Sequence, residues 1–522
     1  MTAVARRVVI VTLSATLVAC SGSPPEKLSD QPPPLVPAMA LPDNAVDRAV
    51  AHLDKIVAEL MATSGIPGLA VAVVHGGKSV YAKGFGLKDV GRPDEPGNRV
   101  GPDTVFQLAS VSKPIGATVV AQQVGQHVID WNTSIVDKLP WFALADPAVT
   151  RMVTIGDLYA HRSGLPDHAG DKLEDLGYDR RSILQKLRQL PLDPFRISYS
   201  YTNFGLTAAA EAVAAGAGKS WEDLSRDVLY EPLGMTSTSS RFADFESRSD
   251  KALGHILIDG KYLPRYQRDP DRESPAGGVS SSINDLTHWL GMVLANGTYG
   301  GNQIVSPEAL LPAVTPQMVS SPPTQPAMRA GFYGYGFNIT TTSASRVQLS
   351  HPGAFELRAA TNFVIIPSAD VAIVALSNAT PSGIPEALTA EFADLVQFGE
   401  VREDWRKLYA DIIDPMSAPV GKLVGKAPPQ RPREPKPLQS YAGQYANDYW
   451  GPATVAEKDG QLFLSLGPRP EVYELKHWDG DEFTFTFVSE NAPPGSISAA
   501  NFNGNALTLE YYDHDKMGTF TR

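Results

Sequence analysis

The spacing of hydrophobic residues divides the chain into two regions with different predicted structure. Near the start, Val46, Val50, Leu53, Val57 and Leu60 recur at intervals of three and four residues, which predicts one face of a helix. Towards the end, runs such as "QLFLSLG" and "EFTFTFV" alternate hydrophobic and polar positions, and Asp-Gly or Asn-Gly pairs separate such runs. The last region therefore predicts a small all-β domain, expected to be a barrel.

Pro-rich segments set the expected boundaries. Residues 44–413 are expected to form the first domain, which includes two strands around the Gly76-Gly77 turn. The segment "APVGKLVGKAPPQRPREPKPL" has no hydrophobic period, so residues 414–437 are predicted to be a linker. The barrel is expected over residues 438–522. The chain has 522 residues, a length that favours two domains plus connectors.

The N-terminal residues have the pattern of a targeting signal. Two arginines precede the apolar run "VVIVTLSATLVAC", which is too short to span a bilayer as a helix. The run ends in "LVAC", which resembles a bacterial lipobox, although an ordinary secretion signal with a chance cysteine would look similar. We expect residues 1–20 to be a lipoprotein signal peptide and residues 21–43 a Pro-rich tether. Lipid on Cys20 would anchor the protein to the bacterial cell membrane on its extracytoplasmic side.

Composition excludes several partners and cofactors. The net charge is -12 and no Lys/Arg stripe offsets it, which argues against nucleic acid binding. Cys20 is the single cysteine, so no intrachain disulfide can form. The sequence contains no CxxC pair and no HExxH motif, so neither pattern indicates a metal site. No serine stands in a G-x-S-x-G context, which excludes the nucleophile elbow of α/β-hydrolases.

The stretch "FQLASVSKPIG" raises the main chemical question. Lys113 lies in an otherwise apolar run, where a lysine needs a partner or a shifted pKa. Ser110 lies three residues earlier, near the predicted start of a helix, so the two side chains share one helix face. A serine needs a nearby base to act as a nucleophile, and a lysine can be that base if its pKa is lowered. Taken alone, Ser-x-x-Lys is a common pattern that favours a helix cap followed by a surface lysine.

Five further stretches of sequence favour the catalytic interpretation of Ser110 and Lys113. They are "TIGDLYAHRSGLP" from Thr154, "YTNFG" from Tyr201, "EPLGMTSTS" from Glu231, "SPAGGVSSSINDL" from Ser274 and "SHPGAF" from Ser350. In this order the motifs resemble the serine β-lactamase and penicillin-binding-protein family, in its class C/esterase branch. The resemblance covers about residues 45–399. The C-terminal region resembles the lipocalin-like barrel that some members of this branch carry.

The resemblance implies a fold and catalytic residues. The fold would be α/β (α+β), with an antiparallel sheet flanked by helices and a mostly helical inserted region. Ser110 matches the acylated serine, Lys113 its partner and Tyr201 the tyrosine that exchanges protons with the nucleophile and leaving group. Asn203 matches the asparagine that binds substrate and helps to hold the lysine. Lys113 and Tyr201 would titrate as a coupled pair, so either could take the serine proton.

The same resemblance assigns roles to the residues that follow Ser350. His351, Pro352 and Gly353 fall where the family has Lys-Thr-Gly or a His-x-Gly variant, as part of the substrate site. The oxyanion hole would consist of the backbone N–H groups of Ser110 and Ala354. No cofactor is implied. His161 is expected to shape a loop, and the histidines outside these motifs, which show no pairing, are expected on the surface.

One departure from the family pattern bears on the substrate. Pro352 replaces a hydroxyl residue that helps β-lactamases to bind the substrate carboxylate, and it has no N–H donor. His351 replaces a lysine and is mostly neutral near pH 7 unless its pKa is shifted. Both changes weaken an anion pocket. They favour an ester, a small amide or a peptide over a β-lactam.

The expected function is therefore a lipid-anchored serine hydrolase that acts on a small molecule or peptide. One alternative is a penicillin-binding sensor or scaffold that acylates but turns over slowly, or a D-Ala peptidase. Another is a protein whose barrel binds a lipid or peptide while the hydrolase fold is inert. The complete set of Ser110, Lys113, Tyr201 and Asn203 argues against inertness.

Overall fold

A computed structural model describes residues 39–469 and 471–522. The predicted signal peptide with Cys20, and residues 21–38 of the predicted tether, lie outside the described residues. Within them, the helices of nine residues or more are α1 (Ala45–Ser64), α2 (Ser112–Gly125), α3 (Asn203–Ala217), α4 (Ile283–Leu294), α5 (Ile384–Phe398) and α6 (Trp405–Ile413).

The main sheet has eight strands and is antiparallel throughout. Its strands are β1 (Gly68–His75), β2 (Lys78–Gly86), β3 (Met318–Ser321), β4 (Gly331–Tyr333), β5 (Asn338–Thr341), β6 (Val347–Phe355), β7 (Ala359–Ile366) and β8 (Val371–Ser377). They lie in the order β2-β1-β8-β7-β6-β5-β4-β3. The sheet therefore joins strands from both ends of the domain, as the family resemblance implies.

Helices cover both faces of the sheet. Strand β1 is buried on both faces, and its alternate residues face different layers. Leu69, Val71 and Val73 pack in one core with α1 and α5, while Ala70, Ala72 and Val74 belong to the core that contains α4. The predicted helix over Val46–Leu60 is confirmed, because its hydrophobic stripe packs on the first of these faces.

The chain between β2 and β3 is the inserted, mostly helical region. It carries α2, α3 and α4 together with shorter helices at Ile135–Lys138, Pro147–Met152, Ile155–Tyr159, Asp171–Asp175, Arg180–Lys186, Trp221–Ser225, Glu231–Leu233, Phe242–Ser247, Ser274–Gly277 and Pro307–Leu310. Small two-stranded pairs join Phe106–Gln107 to Ser280–Ser281, Ile256–Ile258 to Lys261–Leu263, and Thr298–Tyr299 to Asn302–Gln303. The predicted mixed fold is thus confirmed.

The C-terminal strands close into a barrel. They are β9 (Gly443–Asn447), β10 (Gly451–Lys458), β11 (Gln461–Leu466), β12 (Val472–Asp479), β13 (Glu482–Thr486), β14 (Ile497–Asn503), β15 (Ala506–Leu509) and β16 (Thr519–Thr521). At the first predicted turn, Asp459 and Gly460 both have positive φ, which matches the twist of a two-residue hairpin. Buried leucines and phenylalanines from alternate positions pack together as the barrel core.

The barrel is joined to the first domain by direct contacts. Lys172 Nζ donates to the Tyr511 carbonyl at 2.7 Å, and Tyr178 Oη donates to the Trp450 carbonyl at 3.0 Å. Hydrophobic residues of both regions form one continuous core, and residues 39–522 form one compact unit. In the described part of the chain, no helix has both the length and the hydrophobicity needed to cross a bilayer.

Candidate active site

The turn before α2 fixes the position of Ser110. The residues Ala109–Val111 form a single 3-10 turn, and α2 begins directly after it at Ser112. Ala109 adopts a φ of 48°, which is unfavourable for a residue with a Cβ and costs about 1–3 kcal/mol. Ala109 is fully buried against Phe355 and Ala359, so packing maintains the strained turn. The strain therefore lies next to the predicted nucleophile.

Two proton-bearing groups converge on the Ser110 hydroxyl. Lys113 Nζ donates to Ser110 Oγ at 3.0 Å, and Tyr201 Oη donates to the same oxygen at 2.8 Å. Ser112 points elsewhere, because its Oγ accepts the backbone N–H of Val279 at 2.9 Å. The structure thus brings Ser110, Lys113 and Tyr201 into contact and separates Ser112 from them.

Lys113 is completely buried, and all three of its N–H donors have acceptors. Besides Ser110 Oγ, Nζ donates to Asn203 Oδ1 at 2.7 Å and to the Ala276 carbonyl at 3.0 Å. The three acceptors explain how a lysine can occupy an apolar helix face. Burial lowers the pKa of Lys113 to about 8, although the nearby carboxylates of Glu273 and Asp171 act in the opposite direction.

Tyr201 behaves differently from its partner. Burial raises the pKa of its phenol well above the usual value, although the hydrogen bond to Ser110 acts to lower it. Lys113 Nζ lies 4.6 Å from the centre of the Tyr201 ring, but burial outweighs the influence of its charge on this pKa. Of the two groups, Lys113 is the one that can lose its proton near neutral pH.

Asn203 is held by a chain of polar contacts that the sequence did not reveal. Its Nδ2 donates to Asp171 Oδ2 at 2.8 Å, which leaves Oδ1 directed at Lys113. The same Asp171 oxygen lies 2.8 Å from His168 Nδ1, and this bond raises the pKa of His168 to about 9. Asp171 thereby fixes the orientation of the Asn203 amide. His168 and Asp171 are three residues apart, a spacing that alone would suggest nothing more than a helix turn.

The burial and pairing of the histidine side chains agree only in part with the expectation from the sequence. His161 is buried behind Tyr201, with ring centres 4.6 Å apart, and its Nδ1 accepts the Thr202 N–H at 3.2 Å. That position agrees with a structural role. The expectation of unpaired surface positions for the remaining histidines is wrong for His168, which pairs with Asp171, and for His255, which is fully buried.

Strand β6 passes directly beside the nucleophile. A Cβ on Gly353 would lie 2.3 Å from the Leu108 carbonyl oxygen and 3.1 Å from the Ser110 nitrogen, so only glycine fits this close approach. Ala354 lines the same cleft as Ser110. The predicted oxyanion-hole residues are therefore neighbours, and their role stays a prediction.

The His351 side chain is occupied by the protein itself. The Tyr333 hydroxyl lies 2.9 Å from Nε2, and Nδ1 lies 2.7 Å from the Pro352 carbonyl oxygen, so Tyr333 donates to a neutral ring whose Nδ1–H donates onward. Burial and the Lys113 charge lower the pKa of His351 to about 3. His351, which stands where the family motif has a lysine, therefore carries no charge at neutral pH.

The cleft around Ser110 encloses about 530 Å³, a size suited to a small molecule. Three parts of the chain form its walls: the catalytic region, the segment after α6, and the barrel loop between β13 and β14. From that loop, Asn491 Nδ2 donates to Asp175 Oδ2 at 2.9 Å, and Glu490 Oε1 accepts the Glu356 N–H at 2.6 Å. The barrel therefore helps to shape the cleft.

Carboxylates predominate in the charged lining of this cleft. The acidic residues are Asp171, Glu273, Glu356, Glu386 and Glu490. Arg268 also lines the cleft, but it is bonded to Glu174 and Glu273 at 2.7 Å each. Within residues 39–469 and 471–522 no group of three or more metal-ligating side chains is found.

A serine contacted by a buried lysine and a tyrosine, between an antiparallel sheet and a helical insertion, is the arrangement of a β-lactamase-type serine hydrolase. The beta-lactamase family model matches residues 53–398. The chain therefore belongs to the beta-lactamase family. Residues 427–515 match a domain of unknown function, DUF3471.

Curated relatives support this assignment. The chain is 28% identical over 409 residues to unguisins hydrolase ungD' of Aspergillus campestris, covering 74% of this chain and 73% of that protein. It is 31% identical over 260 residues to penicillin-binding protein 4 of Amycolatopsis lactamdurans, covering 47% of this chain and 64% of that protein.

Solved structures share the fold. The octameric penicillin-binding protein homologue from Pyrococcus abyssi aligns with a TM-score of 0.58 at 18% identity, over 91% of this chain and all (100%) of that chain. A class C β-lactamase from Rhodobacter sphaeroides aligns with a TM-score of 0.53 at 22% identity, over 67% of this chain and 98% of that chain.

Proposed function

We propose that this protein is a lipid-anchored serine hydrolase that forms an acyl-enzyme at Ser110 and cleaves an ester, a small amide or a peptide. The observation that carries the proposal is the convergence of Lys113 Nζ and Tyr201 Oη on Ser110 Oγ, at 3.0 and 2.8 Å. A serine in contact with both a proton acceptor and a second proton carrier has what nucleophilic catalysis requires.

Acylation begins with proton transfer from Ser110. The neutral form of Lys113 accepts the proton of the Ser110 hydroxyl, because its pKa of about 8 leaves part of it unprotonated near neutral pH. Ser110 Oγ then attacks the carbonyl carbon and forms a tetrahedral oxyanion. The backbone N–H groups of Ser110 and Ala354 stabilise that negative charge.

The leaving group departs with a proton from Tyr201. The bond between the carbonyl carbon and the leaving oxygen or nitrogen breaks, the Tyr201 phenol protonates the leaving atom, and the Lys113 ammonium restores the phenol proton. Water then attacks the acyl-enzyme and gives its proton to Lys113 through Tyr201. The Ser110 ester bond breaks, Oγ regains a proton, and the acid product leaves.

The surroundings of strand β6 support an uncharged acyl group. A neutral His351 and a proline at 352 offer no cation and no hydroxyl to a substrate carboxylate. Two relatives are named for their own ligands, since one is an unguisins hydrolase and one a penicillin-binding protein. A penicillin-binding role would leave a stable adduct on Ser110, whereas a hydrolase releases product.

A fluorophosphonate probe and short-chain p-nitrophenyl esters test the proposal. The wild type should hydrolyse the esters and be labelled, and Ser110→Ala should do neither. Ser112→Ala is the matched control, because Ser112 lies two residues away and contacts Val279 instead. Labelling that survives Ser110→Ala but not Ser112→Ala would overturn the nucleophile assignment.

The membrane anchor is tested separately. Cys20→Ala should move the protein from the membrane fraction to the soluble fraction, or leave it as unprocessed precursor, because it removes the thiol that carries the lipid. A processed variant that remains membrane-bound would contradict the anchor without affecting the assignment of Ser110.

A further inference from the structure

One buried carboxylate in the wall of the cleft has no role in the proposed reaction. Glu386 lies in the first turn of α5, is 7% exposed, and lines the same cleft as Ser110. Its Oε2 has no hydrogen-bond partner among the described residues. A buried carboxylate oxygen without a partner is costly, so the retention of Glu386 in a substrate cleft points to a partner supplied by the substrate.

A purely structural role for Glu386 would predict protein contacts. The corresponding acid of α4, Asp285, also lies in the first turn of a helix and is buried. Its Oδ2 accepts from the Ser237 N–H at 2.7 Å and from Thr238 Oγ1 at 2.8 Å. Within the described part of the chain, Glu386 makes no such bond to a neighbouring element, although both acids occupy the same helix position.

The surroundings of Glu386 favour a cationic ligand. Pro381, Ile413 and Met416 line the same cleft, so its wall also contains apolar surface. Burial raises the pKa of Glu386 to about 7, and only its own backbone N–H acts against that rise. An approaching cation would favour the ionised form and supply the missing hydrogen bonds or charge.

A second carboxylate in the cleft provides an internal comparison. Glu490 of the barrel loop is also buried enough for its pKa to rise to about 7. Its Oε1 nevertheless accepts the Glu356 N–H, and the Arg268 charge acts to lower its pKa. Glu490 Oε2, like Glu386 Oε2, has no hydrogen-bond partner among the described residues, so the two acids differ in the Arg268 charge and the Glu356 N–H that act on Glu490 alone.

We propose that Glu386 binds a positively charged group of the substrate, an ammonium or guanidinium set apart from the bond that Ser110 attacks. This assignment rests on the proposed function, because it gives the substrate a second point of attachment in the same cleft. Substrates would then carry an ester, amide or peptide bond together with a cationic substituent.

Paired substrates test the assignment. We would use p-nitrophenyl esters whose acyl chains end in trimethylammonium after two to six methylene groups, each with its neutral tert-butyl isostere. Trimethylammonium has no N–H and supplies only charge, so the wild type should prefer the best cationic ester over its isostere by about tenfold, as expected for one ion pair near the protein surface. Glu386→Gln should reduce that preference to about one, and Glu386→Asp should restore part of it.

Glu490→Gln is the matched control, since it removes a carboxylate from the same cleft and should preserve the preference. An equal loss in Glu490→Gln would overturn the assignment in favour of a general acidic field. Equal slowing of both esters by Glu386→Gln, with a lower melting temperature, would overturn it in favour of a structural role. Absence of any preference in the wild type would also overturn it.

Failure of the proposed function can be distinguished from failure of this subsite. If the wild type hydrolyses neither ester of any pair and Ser110 resists phosphonate labelling, the hydrolase proposal falls and the subsite with it. If Ser110 is labelled without ester turnover, phosphonates with the same cationic and neutral chains give the ratio from labelling rates. A ratio that is unaffected by Glu386→Gln then contradicts the subsite alone.

Discussion

Lys113 and Glu386 are buried ionisable side chains near one cleft, and the protein satisfies their hydrogen-bonding groups to different extents. Lys113 has three acceptors within 3.0 Å, contributed by Ser110, Asn203 and Ala276. Glu386 has an oxygen without a hydrogen-bond partner among residues 39–469 and 471–522. The fully bonded side chain is positioned before substrate arrives, as proton transfer requires, whereas the unsatisfied one gains its partner only when a ligand binds.

The largest effect is expected from Lys113→Met, which removes the side chain whose hydrogen bonds are all satisfied. It should reduce kcat/KM for a short-chain ester by about a thousandfold, since a positioned base contributes about that much. Lys172→Met is the matched control, because Lys172 is another lysine whose pKa burial lowers but which contacts Tyr511 instead. Equal losses in the two variants, measured by steady-state kinetics, would mean that Lys113 acts through stability alone.

The pH dependence of kcat/KM tests the same role of Lys113. A base must be deprotonated to act, so kcat/KM should rise with pH and reach half its maximum near pH 8, where Lys113 titrates. Between pH 6 and the plateau the rise should be about a hundredfold, because two pH units below its pKa about one percent of a base is free. A profile that is flat from pH 6 to 9 would contradict Lys113 as the base.

Substrate choice probes the strand beside the nucleophile. A short-chain ester should exceed nitrocefin in kcat/KM by at least about tenfold, the effect of one lost charged hydrogen bond to the β-lactam carboxylate. The double variant His351→Lys, Pro352→Thr should narrow that gap by restoring a cation and a hydroxyl. Nitrocefin turnover by the wild type at or above the ester rate would contradict this prediction and indicate that the protein acts as a β-lactamase.

The smallest expected effect tests how Asn203 is oriented. Asp171→Asn should lower kcat about two- to tenfold, the range of a single hydrogen bond. Because the Asp171 carboxylate raises the pKa of Lys113, its removal should also shift the acid limb of the pH profile to lower pH. Asp167→Asn, a change to a neighbouring exposed acid, should leave the limb in place. An unshifted limb in Asp171→Asn would assign Asp171 a packing role only.

Local sequence patterns predicted the parts of the site that lie close together in the chain. Ser110 and Lys113 are three residues apart at the start of a helix, and one helix turn brings their side chains into contact. The Gly76-Gly77 and Asp459-Gly460 turns likewise set their hairpins, because both residues of each pair adopt positive φ. Motif resemblance then added Tyr201 and Asn203.

Contacts between distant segments could not be predicted in this way. Asp171 bonds to Asn203 across 32 positions, and Glu490 of the barrel bonds to Glu356 across 134. No local period encodes such pairs. The histidines show the same limit: His255 is buried by neighbours far along the chain, so the expectation of a surface position was wrong.

The sequence alone therefore determined the helix turn that joins Ser110 to Lys113, the hairpins and the alternating strands of the barrel, since each depends on residues a few positions apart. Tertiary structure decided the protonation of the site and the shape of its cleft. The pKa of Lys113 depends on how completely the fold removes water from it, and the isolation of Glu386 depends on which side chains the fold brings near. Both are properties of the packed chain, because desolvation and charge pairing arise between segments that only folding brings together.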